Sequence, residues 1–254
     1  MIYDKLPIVF LSTIASDKQG TTNSTIATYI LDHLDTMQQK GIKEMAQECN
    51  VGIASISRFC KEIGLKDFVE LKELIKTTSL SFEQISSKDK ADERVLDYAR
   101  KMEASITQVM ESVSMDQVNK LVDDLVKYNK VAVFGLLKAS GVAYNLQTDL
   151  LMSGKQVYTN ISYNEQLEYI LNAGKDDLII IFSYTGSYFD YAKLRDQKRK
   201  LYAPKIWLIG VDKEYPEYIN EVIRFKSNQD QASHPYQLQF MESIIAQEYA
   251  LRQK

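Results

Sequence analysis

The segment that most constrains the fold spans residues 41–65 and reads GIKEMAQECNVGIASISRFCKEIGL. Apolar side chains recur in it with helical spacing on both sides of a short turn at residues 50–52. They are Ile42, Met45, Ala46 and Cys49 before the turn, and Ile53, Ile56, Phe59, Cys60 and Ile63 after it. The pattern predicts two amphipathic helices joined by a tight turn, a shape that fits a DNA groove.

The second helix of this pair is predicted to have a polar outer face. At about 100° per residue, the stripe opposite Ile56 and Phe59 holds small, hydroxylated and cationic side chains. They are Ala54, Arg58 and Lys61, with Ser55 and Ser57 on the flanks. Such side chains suit contacts with phosphates and base edges. Helix pairs inside a bundle show similar stripes, and spacing by itself favours that simpler interpretation.

The identities of the residues favour DNA binding. Over residues 26–74 the chain contains IATYIL, then IKEMA, then Val51 in the turn, then SISRFCKEIG and the tail FVELK. This stretch resembles the N-terminal helix-turn-helix domain of the RpiR-type bacterial transcription regulators, whose pattern runs IAxYIL, IKELA, a turn valine, SxSRFCKxLG and F-x-E-x-K. The resemblance implies that the outer face binds double-stranded operator DNA, and that the protein acts as a homodimer or homotetramer.

Bulk charge does not identify this surface. The chain has 254 residues and a net charge of −3, with an isoelectric point near 5.6. Any contact with nucleic acid must therefore come from a local patch, such as Arg58, Lys61 and Lys66.

The two cysteines, Cys49 and Cys60, fall on the predicted buried stripes, and no Cys or His neighbours them at metal-ligand spacing. We therefore expect core packing, no metal site and a reducing compartment, the cytoplasm. The apolar run at residues 6–15 follows Asp4, is interrupted by Pro7 and is too short to span a bilayer. It predicts a helix of the N-terminal domain rather than a signal peptide. We expect a soluble protein with no membrane partner.

Composition divides the chain into two domains. Residues 77–92 are polar and rich in Ser and Thr, as is typical of a linker. We predict a helix-turn-helix DNA-binding domain at residues 1–79, a linker and connecting helix at residues 80–114, and a second domain at residues 115–254.

The second domain alternates short apolar runs with amphipathic stretches. The apolar runs are residues 131–134, 155–158, 178–182, 206–209 and 222–225. They are rich in Val and Ile and lack period-two alternation, which predicts the doubly covered strands of a parallel sheet. Helices are predicted at residues 93–113, 117–128, 140–153, 164–173, 187–201 and 236–252. The expected fold is an all-α N-terminal domain followed by a three-layer α/β sandwich around a five-stranded parallel sheet.

Two loops of this sheet are candidate ligand sites. Parallel sheets bind ligands beyond the carboxyl ends of their strands, often with a phosphate at a helix N-terminus. One loop follows Phe134, and the other follows Phe182 and reads SYTGS. Three hydroxyls around one glycine let several donors converge on an anion. A simple helix N-cap with nothing bound has the same composition and is the commoner case.

Residues 131–211 resemble a sugar isomerase (SIS) domain, whose motif S-x-S-G-x-[ST] follows the third strand. Thr185 takes the place of a serine in that motif, and Tyr188 stands where a final Ser or Thr is usual. The first SIS loop is generally G-x-G-x-S; here Gly135 and a later serine remain, but the second glycine is absent and the spacing is longer. Lys138 in this loop either supplies a charge to the ligand or is solvated. The resemblance implies a sugar-phosphate effector bound by Ser140, Ser183, Thr185, Gly186 and Ser187.

We expect no catalytic role. SIS folds also occur in aldose-ketose isomerases, which need a Glu or His base beside the sugar. His33 lies in the DNA-binding half, His234 lies in a polar loop that predicts solvent exposure, and Glu165 and Glu221 are predicted to be solvated. No Ser-His-Asp set, metal cluster or dinucleotide motif is present. Together the two resemblances imply a sequence-specific regulator of sugar or amino-sugar metabolism without a cofactor. The alternative is a phosphosugar aldose-ketose isomerase with an accessory helical domain.

Overall fold

The computed structural model describes residues 5–78, 80–191 and 195–253. The α-helices of this part of the chain are α1 (Lys5–Ser16), α2 (Thr22–Asp32), α3 (Leu34–Met37), α4 (Ile42–Glu48), α5 (Ile53–Glu62), α6 (Phe68–Thr77), α7 (Ala91–Ser112), α8 (Met115–Lys127), α9 (Lys138–Met152), α10 (Tyr163–Asn172) and α11 (His234–Leu251). The strands are β1 (Lys130–Gly135), β2 (Asp177–Phe182), β3 (Lys205–Val211) and β4 (Glu221–Phe225). Two 3-10 helices, Tyr188–Tyr191 and Arg195–Tyr202, lie between β2 and β3.

Helices α1 to α6 pack around an apolar core of their own. Polar side chains mark where some of them begin. Thr21 Oγ1 accepts the N–H of Ser24 at 3.3 Å before α2, and Asp67 Oδ1 accepts the N–H of Glu70 at 3.0 Å before α6. These caps satisfy amides that have no partner inside the helix. The predicted all-α N-terminal half is confirmed, and the helix expected over residues 6–15 is α1.

The helix pair predicted from residues 41–65 is α4 and α5. Asn50 opens the turn between them with a φ of 52°, and the N–H of Val51 donates to the carbonyl of Ala46 at 2.9 Å. Both cysteines are buried, as expected. Ile53 differs from the prediction. It was placed on the apolar stripe, but it is 44% exposed in the first turn of α5.

The strands of the second half form one parallel sheet in the order β1-β2-β3-β4. Val131 and Val133 face a core shared with α8, α9 and α11, whereas Ala132 and Phe134 face a core shared with α10. Successive side chains of a strand point to opposite faces, so both faces of the sheet are covered and the strand sequences lack polar alternation. The predicted three-layer sandwich with a parallel sheet is confirmed.

Within the described residues the sheet has four strands rather than the five expected. The run at residues 155–158 contributes only an isolated bridge, in which Tyr158 pairs with Ala132. Only Val157 of this run is buried. The run therefore lacks the burial on both faces that holds an inner strand in a parallel sheet.

The long helix predicted at residues 187–201 is not found; the two 3-10 helices lie there instead. Residues 192–194 of that prediction lie outside the described part. Ser187, Tyr188 and Phe189 are buried in succession. A helix that lies on a sheet buries one stripe rather than three consecutive side chains, which disfavours a regular α-helix here.

Between α6 and α7 the described residues form neither helix nor strand. The domain limits at residues 79 and 114 stay a prediction. Across the described ranges, the helices are all too short or too polar to cross a bilayer.

Candidate functional site

The outer face of α5 is the candidate DNA-binding surface. The helix buries Ile56, Phe59 and Cys60 and packs against α2, α4 and α6. Of the predicted contact residues, Ala54, Arg58 and Lys61 are exposed, and Ser55 and Ser57 are half-buried beside them. Gly52 precedes α5 without a side-chain cap, so the first amides of the helix are open to an external acceptor such as a phosphate.

Two contacts hold α5 in the N-terminal half. The rings of Phe59 and Phe10 of α1 stack with centroids 5.8 Å apart and an interplanar angle of 25°. At the far end of α5, the side-chain amide of Asn23 donates to Glu62 at 2.7 Å. The buried side of α5 is therefore fixed by neighbouring helices while its cationic side stays open.

A cavity of about 50 Å³ lies where β1 and β2 end. Strands β1 and β2 are adjacent and parallel, with Gly135 opposite Phe182, so both candidate loops leave the sheet at the same edge. The cavity is lined by Ile8, Leu136, Leu137, Ala139, Phe182, Ser183, Tyr184, Thr185, Tyr188 and His234. Its wall is mostly apolar and aromatic, with hydroxyls on the side of the β2 loop.

The structure brings two of the five predicted effector residues, Ser183 and Thr185, to this cavity. Ser140 is in α9, where its hydroxyl donates to the carbonyl of Leu137 at 2.6 Å. Ser187 is buried, and its hydroxyl donates to the carbonyl of Thr185 at 3.5 Å. Ser140, Gly186 and Ser187 therefore belong to the framework of the two loops rather than to the cavity wall.

The backbone conformation at Gly186 and the close approach of neighbouring side chains both favour glycine. Its φ is 66°, and a Cβ atom there would lie 2.5 Å from both Lys213 and Tyr215. These side chains come from the loop after β3 and cover the β2 loop. Substitution would both strain the backbone and push this cover away.

In the first loop, a leucine has a backbone conformation in the left-handed region of φ. Leu137 stands two residues after Gly135, where the SIS pattern has its second glycine, and adopts a φ of 52° and a ψ of −120°. Two residues further on, Ala139 lines the cavity. A Cβ on Gly135 would collide with the carbonyl of Ala139. The residues that this loop contributes to the cavity wall are therefore apolar.

His234 was predicted to be exposed, and this prediction was wrong. The residue is 6% exposed, lines the cavity and packs its ring 4.6 Å from the ring of Tyr184. Burial, aided by the positive charge of Lys138, lowers its pKa to about 4. The imidazole is therefore neutral near pH 7.

The prediction was wrong because the polar sequence before His234 was taken to mean an exposed loop. Asp230 folds this loop back by accepting hydrogen bonds from the N–H groups of Ala232 at 3.1 Å and Ser233 at 2.8 Å. Pro235 then stands at the start of α11. An aspartate four residues ahead of a helix start was the signal that would have predicted an ordered turn.

Two buried tyrosines also line the cavity, a role that the sequence analysis did not predict for them. The hydroxyl of Tyr188 donates to Gln166 at 2.7 Å, and the hydroxyl of Tyr184 bonds to Ser227. Burial raises the pKa of Tyr184 to about 12 and that of Tyr188 well above its usual value. Both stay neutral, so none of the cavity-lining residues described above carries a charge near pH 7.

The other candidate bases lie away from the cavity. His33 stacks on Tyr29 with ring centroids 4.2 Å apart, Glu221 pairs with Lys120, and Glu165 lies exposed on α10. Over the described residues, no cluster of His, Cys, Asp and Glu could hold a metal ion.

Both halves of the chain are similar to known proteins. Residues 8–81 match the helix-turn-helix domain of the rpiR family. An uncharacterized HTH-type transcriptional regulator from Haemophilus influenzae is 30% identical over 195 residues, which cover 69% of this chain and 65% of that protein. The chain spans 61–65% of the length of the first three curated relatives it matches.

Two solved structures share the fold. The Vibrio vulnificus NanR protein complexed with ManNAc-6P has a TM-score of 0.54 at 13% identity, and the match covers 97% of this chain and 92% of that one. The sugar isomerase domain of an RpiR transcription factor from Sphaerobacter thermophilus has a TM-score of 0.52 at 18% identity, over 63% of this chain and 90% of that one. Residues 8–81 therefore match the helix-turn-helix domain of the rpiR family, and the chain shares its fold with the sugar isomerase domain of an RpiR transcription factor.

Proposed function

We propose that the protein is a ligand-responsive transcription regulator in which α5 is the recognition helix and the cavity beyond β1 and β2 binds the effector. The observation that carries this proposal is the exposed face of α5 formed by Ala54, Arg58 and Lys61, in a segment that matches a DNA-binding domain. Such a regulator acts where the chromosome is, so we place it in the cytoplasm, with genes of sugar or amino-sugar metabolism as its targets.

Operator recognition requires two copies of the recognition helix. As a homodimer or homotetramer, the protein would present paired α5 helices to half-sites about 34–36 Å apart or a multiple of that spacing. An effector with different affinities for two domain arrangements shifts their populations, and so changes how well the paired helices fit the operator.

We propose a phosphorylated sugar or amino sugar as the effector. Ser183 and Thr185 offer hydroxyls at the carboxyl end of β2, and the structural neighbour NanR was solved with ManNAc-6P. The cavity is uncharged, so a phosphate here would be held by hydroxyl and backbone donors rather than by a salt bridge. Lys213, which passes over Gly186, and Lys138, at the start of α9, are cations beside these loops.

The experiment that tests this function is selection from a random-sequence duplex pool, followed by titration of the selected duplex at several salt concentrations. A regulator enriches one sequence and binds it with an affinity that falls as salt rises. A thermal-shift panel of hexose and amino-sugar phosphates, including ManNAc-6P, then identifies the effector by its stabilisation of the folded chain. Failure to enrich any duplex would contradict the proposal.

The second candidate function is an aldose-ketose isomerase with an accessory helical domain. The position of His234 on the cavity wall is the observation that favours it, because histidine is the side chain that most often serves as a general base. Turnover of aldose or ketose phosphates without DNA affinity would support this alternative over the regulator.

A further inference from the structure

We propose that Ile8, a residue of the DNA-binding half, forms a wall of the effector site, and that α1 carries the occupancy of this site to the recognition helix. This inference rests on the proposed function, since it names the residue and the element through which the effector would act. It assigns to α1 a binding and coupling role that the helix-turn-helix motif itself does not require.

The side chain of Ile8 belongs to the second half of the molecule. It is 3% exposed and packs in the apolar cluster that contains Phe134, Ile181 and Tyr188, the cluster on the α10 side of the sheet. The next two residues of α1, Val9 and Phe10, belong instead to the core of the N-terminal half. One helix therefore supplies side chains to both cores.

A buried serine holds this helix against the second half. Ser12, one turn after Ile8 and 7% exposed, donates its hydroxyl to the carbonyl of Ile161 at 3.0 Å and accepts the N–H of Tyr163 at 2.9 Å. Residues four apart lie on the same face of a helix, so Ile8 and Ser12 form one docking surface. Because Tyr163 begins α10, this surface ties α1 to the start of that helix.

The same helix contacts the recognition helix. Phe10 stacks on Phe59, which is buried in α5 directly after the exposed Arg58. On α1, Ile8 at the cavity wall therefore lies only two residues from Phe10, whose ring packs beneath the DNA-reading face. A shift of α1 in response to a ligand would move the contact beneath α5.

The size of the cavity indicates which wall moves. Its volume of about 50 Å³ is far below the roughly 300–1,000 Å³ of pockets that hold small molecules, so a sugar phosphate requires an opening. Leu137, Phe182 and Ser183 are fixed by the ends of strands and the start of α9, in a close-packed interior. Ile8 reaches the cavity from a separate helix.

The lining also constrains the ligand. Ser183 and Thr185 contribute hydroxyl-bearing side chains to the lining, and Ile8, Leu136 and Leu137 contribute apolar ones. The site therefore takes a molecule with a polar or anionic head and an apolar substituent that replaces the contacts of Ile8. An acyl group on an amino sugar phosphate has this chemistry.

Cysteine accessibility in the full chain tests the position of Ile8 without any ligand. Ile8→Cys places a thiol on the cavity side of α1. Leu11→Cys places one at a position of the same helix whose native side chain is 46% exposed. Cys49 and Cys60 add little background, because burial raises their pKa to about 11 and about 12. We expect a maleimide to label Ile8→Cys about tenfold more slowly than Leu11→Cys. Equal rates would overturn the inference.

Operator binding tests the coupling. The probe is the duplex that the wild-type protein selects from a random pool. Ile8→Ala and Ser12→Ala both loosen the docking of α1, so we expect both to change the Kd for this duplex in the same direction, by about fivefold or more. Leu11→Ala, the matched control on the exposed side, should bind like the wild type.

The two proposals fail in distinguishable ways. If the wild type selects no duplex, the proposed function fails, while the labelling rates still decide where Ile8 lies. If the wild type binds its duplex, and Ile8→Ala and Ser12→Ala bind it equally well with unchanged circular dichroism, only the coupling through α1 fails.

Discussion

Among single residues, Arg58 lies on the outer face of α5 with its side chain exposed, directly before the buried Phe59. Arg58→Ala removes this charge without disturbing the core, so we expect operator affinity to fall by about 1–3 kcal/mol. Titration of the selected duplex measures this change, with Lys175→Ala, an exposed lysine of the second half, as the control. An affinity equal to that of the wild type would remove Arg58 from the DNA contacts.

His234 supports a prediction about pH. Its folded-state pKa of about 4 lies below the ordinary value of 6.5, so the unfolded chain binds a proton between these pH values and the folded chain does not. The stability that this residue contributes is therefore complete above pH 6.5 and is lost as pH falls towards 4, on the order of 3 kcal/mol at full extent. Thermal unfolding of His234→Gln should show a weaker decline over this range.

The titration of Glu242 changes the stability of the fold in the opposite direction with pH, so the experiment must control for it. Burial, with the charge of Asp149, raises its pKa to about 7, so its contribution is lost as pH rises from 4.5 to 7. Because wild type and His234→Gln both carry Glu242, this effect cancels in their difference. His33→Gln is the matched histidine control. A pH profile of His234→Gln that parallels the wild type would contradict the assignment.

At the scale of elements, the β2 loop is where ligand recognition should concentrate. Ser183→Ala with Thr185→Ala removes the two predicted hydroxyls that line the cavity. We expect this double variant to lose the thermal stabilisation that the effector gives the wild type, which is about 2.7 kcal/mol at a concentration of 100 Kd. Ser140→Ala is the control, because the Ser140 hydroxyl already bonds to Leu137. An undiminished thermal shift in the double variant would place the sensor elsewhere.

A second element-scale prediction concerns how α8 is attached to the sheet. Asp124 of α8 is buried, accepts the indole N–H of Trp207 at 2.8 Å and pairs with Lys205 at 2.6 Å, both on β3. Asp124→Ala leaves the buried indole N–H without its acceptor, so we expect a loss of about 1–3 kcal/mol in unfolding free energy. Urea unfolding followed by fluorescence reports this directly, since Trp207 is the only tryptophan.

The neighbouring aspartate provides the control for that experiment. Asp123 is exposed and pairs with Arg252 at the surface. Such pairs contribute little, so Asp123→Ala should change the unfolding free energy by less than about 1 kcal/mol. Equal losses in both variants would show that the Trp207 contact does not secure α8.

The elements that were predicted well from sequence are those whose pattern of apolar residues lies within a single segment. The helix pair α4 and α5 and the strands β1 to β4 follow from periodicity and apolar runs within each segment. The run at residues 155–158 has strand-like composition, yet whether it pairs along its length depends on partners far away in sequence. His234 was missed for a related reason, because burial of a polar loop is decided by the fold around it.

At the scale of the whole molecule, the fold class and the rpiR-type helix-turn-helix segment were predictable because both halves carry distinctive motifs. The cavity was predictable only in part. The loops after β1 and β2 were located correctly, but the contribution of Ile8 came from the opposite end of the chain and from a run that reads only as a core helix. Contacts between halves leave no periodic trace in either segment, so sequence patterns do not reveal them.

The participation of Ile8 affects how ligands for this protein should be sought. A truncated version that starts after the linker would have a pocket with one side missing. Compounds found against such a fragment would be selected for filling the gap, and their affinity would not carry over to a chain that includes α1. Ligand screening therefore needs a protein that contains both halves.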